Sequence, residues 1–183
     1  MTLYEKTVGF VNNTFLNKNI KHFELTVYYL DQFLPNITEG QKIAAYSHDI
    51  ERANREKDEM YMKSYLDPAG LKHHQEKGAE IVADFLKTEG ADDIIIEKVK
   101  HLVSHHEEGG DAEQDALMDA DSVSFFETNA EMFVNKKAPT EGYKKVKEKL
   151  DWMFSRIKSP MAREAARINY ERWSKELDDK FKK

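Results

Sequence analysis

The sequence predicts an all-α fold, a single-domain bundle of about seven or eight helices. Apolar residues recur every three or four positions through most of the chain, as they do along one face of an amphipathic helix. No segment shows the strict alternation of apolar and polar residues that is typical of a half-buried strand. A length of 183 residues suits one domain, and a hydrophobic content of 40% is sufficient for one core and too high for a disordered chain.

Two helices can be placed in order in the first third of the chain. An apolar stripe begins at His22 and continues to Phe33, and Pro35 closes it because proline cannot continue a helix. Thr38 and Gln41 have the spacing of a capping box. We expect the helix that they open to run without a break through residues 41–55.

Helix start and stop signals also divide the rest of the chain. Pro68 and Gly70 predict a turn before the next helix, and Ser159 with Pro160 predicts a capped start for the last one. Residues 58–68 are ambiguous and could form a loop over a site. The motif-bearing core then covers about 20–127, and the carboxyl-terminal helices, at about 140–181, pack on it. The expected helices span about 71–87, 92–108, 112–134, 140–157 and 160–181.

Charge and composition exclude several classes of function. The formal net charge of -6 argues against an extended nucleic-acid partner, although a local basic patch could still hold one nucleotide. Cysteine is absent, which excludes disulfides and thiolate metal ligands. No apolar run approaches the ~18 residues of a membrane span. We therefore expect a cytoplasmic protein without a membrane partner, and we leave open whether it forms a homodimer.

Histidines are confined to one region of the chain. All seven lie between positions 22 and 106. Imidazole is the commonest metal ligand and pairs with carboxylates in many metal sites. The strongest feature is the adjacent pair His48 and Asp49, because an ionised aspartate in an apolar helix is costly without a cation or a metal ion. Taken alone, such a pair is more often an exposed dipeptide at a helix end.

Four further segments occur around this pair in a fixed order, so that the set extends over residues 21–126. Together they resemble the HD superfamily of metal-dependent phosphohydrolases, whose dinuclear members follow the pattern H…HD…H…HH…D. The resemblance implies an HD-type helical bundle with one or two divalent ions, which could be manganese, iron, nickel, cobalt, zinc or magnesium. The segments are NIKHFEL with His22, AYSHDIE with His48 and Asp49, LKHHQEKGAE with His74, VKHLVSHHEEGGD with His105 and His106, and ALMDADSV with Asp121.

The motif pattern ranks neighbouring histidines. His74 is preferred to His73 because it lies four residues before Gly78. His105 is preferred to His106 as the next ligand. His106 shares the apolar helix face that leads up to it, so it stays open as a second ligand or a core residue.

The pattern also predicts the roles of two residues that lie near the expected ligands. His101 lies one helical turn before His105 and is expected to orient a ligand. Asp121 fits the closing motif better than Asp119, which we expect to be solvated or hydrogen-bonded to a ligand.

The motif departs from the common form HDIGK, since this chain reads HDIER. Arg52 stands at the lysine position and could clamp a phosphate with two hydrogen bonds. Glu51 is either a solvated helix residue or a general base. Arg163 and Arg167 share a helix face and are candidates for substrate phosphate, with solvated or salt-bridged arginines as the alternative.

The resemblance implies hydrolysis of a phosphomonoester, phosphodiester or anhydride bond, most plausibly in a nucleotide or a related small phosphorylated metabolite. His22, His48, Asp49 and Asp121 would hold one metal ion, and Asp49 would bridge to a second ion at His74 and His105 or His106. A di-iron oxygenase and a non-catalytic module that binds metal or nucleotide remain alternatives.

Overall fold

The computed structural model describes residues 1–54 and 65–182, and in these ranges every regular element is helical. Eight of the helices have nine or more residues, which confirms the predicted fold class. No helix in the described ranges is long and apolar enough to cross a membrane. The helices are α1 (Leu3–Thr14), α2 (Ile20–Phe33), α3 (Glu39–Ser47), α4 (Ile50–Asn54), α5 (Pro68–Thr88), α6 (Asp93–Val103), α7 (Ala112–Thr128), α8 (Ala130–Met132), α9 (Ala138–Glu141), α10 (Tyr143–Ser155) and α11 (Pro160–Phe181), with a π-helical segment, Phe133–Lys137, between α8 and α9.

Helix α7 connects two apolar cores. Its first half contributes Leu117 to a core that α1, α2, α3, α5 and α6 complete. Its second half contributes Phe126 to a core shared with α10 and α11. The indole N–H of Trp173 donates a hydrogen bond of 3.1 Å to the Phe126 carbonyl and so fixes α11 against α7. Polar residues that α7 carries between the two cores are therefore held on a rigid, buried helix.

The predicted helix caps are present. The Thr38 hydroxyl accepts the Gln41 N–H at 3.3 Å, and the Gln41 side chain accepts the Thr38 N–H at 2.7 Å. Ser159 accepts the Ala162 N–H at 3.1 Å at the start of α11. Pro68 departs from the prediction: it opens α5 instead of preceding it, because the first turn of a helix has no use for the N–H that proline lacks.

Of the helix breaks that the sequence did not predict, two concern the histidine motifs, and two others lie at Asn129 and Gly142, inside the predicted helices 112–134 and 140–157. Helix α3 ends at Ser47 and α4 begins at Ile50, so His48 and Asp49 lie at a break and not inside one helix. Helix α6 ends at Val103, and the chain then turns through residues 104–110. Gly109 has a φ of +72° in this turn, a conformation that favours glycine. Of the ambiguous stretch 58–68, residues 58–64 lie outside the described part.

Asp119 has a structural role that differs from the expected one. Its carboxylate is buried and accepts the backbone N–H of Lys158 at 2.7 Å and that of Ser159 at 2.8 Å. These bonds attach the link between α10 and α11 to the centre of α7. Asp119 therefore stabilises the connection of the carboxyl-terminal helices and is not solvated.

Replacement of Asp119 by alanine should lower the free energy of unfolding by about 2–4 kcal/mol, because two backbone donors lose a charged acceptor. Chemical denaturation measures the change. The exposed Asp84 serves as the control, and Asp84→Ala should have an effect below about 0.5 kcal/mol. Equal stability of the Asp119 variant and the parent would contradict the assigned role.

Candidate metal centre

Six buried side chains form two adjacent trios. Within each trio, the candidate ligand atoms lie within 4.8 Å of one another. In the first trio, Asp121 Oδ1 lies 3.2 Å from His22 Nε2 and 3.4 Å from His48 Nε2. The first trio is His22, His48 and Asp121, and the second trio is Asp49, His74 and His106.

Asp49 lies between the trios. Its Oδ1 atom is 3.1 Å from His74 Nε2 and 4.0 Å from His106 Nε2, both in its own trio. The same oxygen is 4.0 Å from His48 Nε2 in the first trio. The helix break at His48 and Asp49 lets these adjacent side chains serve both trios. Asp49 is therefore within reach of ligand atoms from both trios.

The imidazoles of His48 and His106 are oriented by backbone carbonyls. His48 Nδ1 lies 2.9 Å from the Ala45 oxygen, and His106 Nδ1 lies 2.7 Å from the Val103 oxygen. Because a carbonyl only accepts, each Nδ1 carries a hydrogen, and Nε2 is left for a metal ion or a second proton. Both Nε2 atoms are buried and make no hydrogen bond within the described part of the chain. Buried polar atoms are rarely left without a partner, so each of these imidazoles fits a metal ion at its own Nε2.

Side chains orient the other two imidazoles. His22 Nδ1 lies 2.9 Å from the Ser124 hydroxyl. His74 Nδ1 lies 2.6 Å from Glu51 Oε2. Glu51 is buried, so the solvated alternative is wrong, and a role as general base stays a prediction. It is a positioning residue that directs Nε2 of His74 towards Asp49, as carboxylates commonly do behind metal-binding histidines.

His106 and His48 differ in the pKa of their imidazoles. Burial lowers the pKa of His106 to about 3, so this imidazole is neutral and ready to bind a metal ion. Burial acts in the same direction on His48, but Asp49 and Asp121 raise the pKa of that imidazole to about 9. At neutral pH, a metal ion that binds His48 must therefore displace a proton.

Arginines keep both site aspartates ionised. Burial would raise the pKa of Asp49, but Arg52, with Nε 2.6 Å from Oδ1, and the neighbouring histidines hold that pKa well below its usual range. Burial would likewise raise the pKa of Asp121, but Arg156 and His48 hold it well below its usual range. No motif predicted Arg156, which follows the end of α10 and is brought to α7 by the fold.

Like Arg156, Glu107 lies in the site although the motifs did not predict it as a site residue. It is the glutamate of the HHE segment. Its carboxylate is buried, and Oε1 lies 3.0 Å from Arg52 Nη2 and 3.9 Å from Nε2 of both His74 and His106. The other oxygen pairs with Arg156. Burial would raise the pKa of Glu107, but chiefly Arg156, followed by other nearby cations, lowers it to about 2.

His105 does not lie in either trio. Its side chain is exposed, and its Nδ1 lies 2.9 Å from the Ser104 hydroxyl. His106 points into the site in its place, so the preferred order of these two histidines is corrected. The reason is that His106 continues the buried face of α6, one helical turn after Leu102.

Two further histidines also lie outside the trios. His101 is exposed and its Nε2 lies 2.6 Å from the carboxylate of Asp111, the residue that caps α7. It therefore does not orient a ligand in the site, as the sequence had led us to expect. His73 is half-buried on α5, next to the ligand position of His74.

The two carboxyl-terminal arginines differ in position. Arg167 is exposed and pairs with Glu164 and Glu171 on its own helix, which matches the salt-bridged alternative. Arg163 donates to the Ile157 carbonyl at 2.7 Å and lines an open cavity of about 720 Å³. Of the two, only Arg163 borders a cavity that Glu107 also lines.

A second cavity, of about 180 Å³, opens directly onto the metal centre. His22, Asp49 and Asp121 form part of its wall, and Arg52 and Lys149 add positive charge. A ligand in this cavity would touch the candidate metal ligands, two cations and an apolar surface. The apolar part of the wall comprises Tyr65, Leu71, Phe125, Met132, Phe133 and Met153.

Comparison with known proteins gives one result. A family model described as a domain of unknown function (DUF4202) matches residues 7–179. No curated protein and no solved structure matches the chain.

The positions of His105 and His106 predict different effects of two matched substitutions on metal binding. His106→Ala should lower the amount of bound divalent metal by about one ion per chain, or weaken its affinity by at least about tenfold. His105→Ala should leave both unchanged. Titration calorimetry with manganese or zinc, together with elemental analysis, measures the difference. The assignment is wrong if the two variants bind metal alike.

Proposed function

Because the chain belongs to the DUF4202 family, whose description gives no activity, we propose its function from the geometry of the metal centre: a metal-dependent phosphohydrolase of the HD type. One observation carries the proposal. Two buried trios of histidine and aspartate meet at Asp49, and the Nε2 atoms of His48 and His106 have no hydrogen-bond partner in the described residues. The ordered motifs of the sequence support the same conclusion.

The donor set fits divalent ions that accept nitrogen and oxygen ligands, such as manganese, iron, cobalt, nickel and zinc. His22, His48 and Asp121 would hold one ion, His74 and His106 a second, and Asp49 would lie between them. Bound divalent ions supply a Lewis acid for a phosphoryl oxygen and lower the pKa of a coordinated water.

Arg52 is the residue that we propose to bind the phosphoryl group. About a third of its side chain is exposed, and it lines the smaller cavity while contacting both Asp49 and Glu107. A guanidinium held by two carboxylates is oriented in advance and can still offer free N–H groups to phosphoryl oxygens. It would offset negative charge that develops during hydrolysis.

Glu107 is suited to orienting a water molecule. Its carboxylate lies beside His74 and His106 and lines the same cavity as Arg52. A pKa of about 2 makes it a weak base, so it would accept a hydrogen bond from water without taking the proton fully in the resting state. Hydrolysis would form a bond from this water oxygen to phosphorus and break the ester or anhydride bond.

The substrate would be a small phosphorylated compound, and a nucleotide is the class that the resemblance favours. Positive side chains and an apolar wall in one cavity suit a phosphoryl group attached to an organic body. Arg52 and Lys149 meet at one small cavity, which fits a small anionic ligand.

Phosphate release from a panel of nucleotides and sugar phosphates tests the reaction. The protein should be active with manganese, cobalt, nickel or zinc, and inactive after chelation until metal is returned. Asp49→Ala should reduce the rate at least about 1,000-fold, because it removes the carboxylate between the trios. The exposed Asp84→Ala is the matched control. Oxygen consumption by the iron-loaded protein, without phosphate release from any substrate, would contradict the proposal and favour an oxygenase.

Two substitutions of Arg52 test its role separately. Arg52→Met should lower kcat/KM about 100-fold, and Arg52→Lys should recover part of the loss because a point charge replaces the two-pronged contact. Metal stoichiometry should stay at the parent value in both variants. A variant that loses metal would show that Arg52 acts through Asp49 instead of through the substrate.

A further inference from the structure

Lys149 is a buried cation that neither the sequence motifs nor the proposed reaction accounts for. It lies on α10 with 6% of its surface exposed and lines the smaller cavity. Within residues 1–54 and 65–182, its ammonium makes no ion pair and no hydrogen bond. By contrast, Lys147 on the same helix pairs with Asp151.

Two aromatic rings lie next to the Lys149 ammonium. Nζ lies 4.5 Å from the ring centroid of Trp152 and 5.7 Å from that of Phe125. Rings of this kind attract a cation but offer no acceptor for its three N–H groups. A buried ammonium without an acceptor is costly, so an anion that enters the cavity would satisfy it. Arg156 lies against the same indole, with its guanidinium carbon 4.5 Å from the centroid, but its donors are taken up by Glu107 and Asp121.

We propose that Lys149 binds phosphoryl oxygens of the substrate and, with Arg52, selects a phosphorylated ligand. The identity of the anion as a phosphoryl group rests on the proposed function. The anion site itself is inferred from the burial of Lys149, from its lack of a partner in the described residues and from its place in the cavity wall. Lys149 and Arg52 line one cavity together with His22, Asp49 and Asp121, so one phosphoryl group could contact both cations and the metal centre.

The size of the cavity narrows the ligand class. Its volume of about 180 Å³ is below the roughly 300–1,000 Å³ of pockets that enclose drug-sized ligands. The enclosed part of the substrate is therefore compact: a phosphoryl group and a small organic body packed against Phe125 and Phe133.

Fluorescence of Trp152 provides a direct test, because this ring contacts Lys149. The chain has two tryptophans, so the Trp173→Phe variant leaves Trp152 as the reporter. Inorganic phosphate is titrated into this parent at constant ionic strength, first in the metal-free protein and then with added zinc or cobalt. Lys149→Met should weaken phosphate binding at least tenfold in the condition where the parent binds it, and Lys149→Arg should recover part of the affinity.

Lys144→Met is the matched control, because it removes one exposed positive charge from the same helix. It should bind phosphate as the parent does. Equal affinity of Lys149→Met and the parent, or no phosphate binding by the parent in either condition, would overturn the proposal. Tighter binding of acetate than of phosphate would also overturn it, because it would indicate a carboxylate ligand.

Thermal unfolding separates a binding role from a structural one. Lys149→Met should keep or raise the Tm of the metal-free protein, because it removes an unpaired buried charge. A marked fall in Tm would assign Lys149 to packing and would refute the proposal. The protein could bind phosphate through Lys149 and still hydrolyse no phosphorylated substrate. That result would support this inference and contradict the proposed reaction, so failure of one can be distinguished from failure of the other.

Discussion

The ionised carboxylate of Asp49, buried beside three imidazoles, is the constraint on which the rest of the site depends. Removing a charge from water is costly, and the protein offsets the cost with Arg52 at 2.6 Å and with the nearby histidines. These neighbours need supports of their own, which are the carbonyls behind His48 and His106 and the carboxylate of Glu51 behind His74. The second layer of contacts is therefore a consequence of burying one charge.

The helical framework makes this polar interior possible. Helix α7 passes from one apolar core to the other, and Asp121 lies between Leu117 and Phe126 on it. Apolar packing on both sides fixes the helix, so that its polar residues keep their positions. Asp119 and Asp121 are two residues apart on this helix, yet one attaches the α10–α11 link and the other faces the metal centre.

The sequence was sufficient to predict the fold class and most of the six residues of the trios. Helical periodicity, caps at Thr38 and Ser159, and the ordered motifs all depend on residues close together in the chain. The motif favoured His105 over His106 as a ligand. The apolar face of α6, which continues to His106, indicates instead that His106 points inward. The break at His48 and Asp49 carried no local signal, since no glycine or proline marks it.

Other parts of the site depend on contacts that no local pattern encodes. Lys149 comes from α10 and Arg156 directly follows that helix, and Arg156 meets an aspartate 35 positions earlier in the chain. Exposed lysines and arginines are common on helices, so no local sequence pattern distinguishes these two buried residues from the exposed Lys144. Their roles follow from the way α10 packs on α7, which only the tertiary structure shows.

The position of Arg156, directly after α10, has a consequence for the order in which the molecule assembles. Every residue of the two trios has been synthesised once the chain reaches Asp121, but the guanidinium that pairs with this aspartate is made later, directly after α10. Until α10 and the residue that follows it dock on α7, Asp121 lacks the guanidinium that pairs with it in the folded protein. The charge balance around Asp121 is therefore complete only when the carboxyl-terminal helices have joined the rest of the bundle.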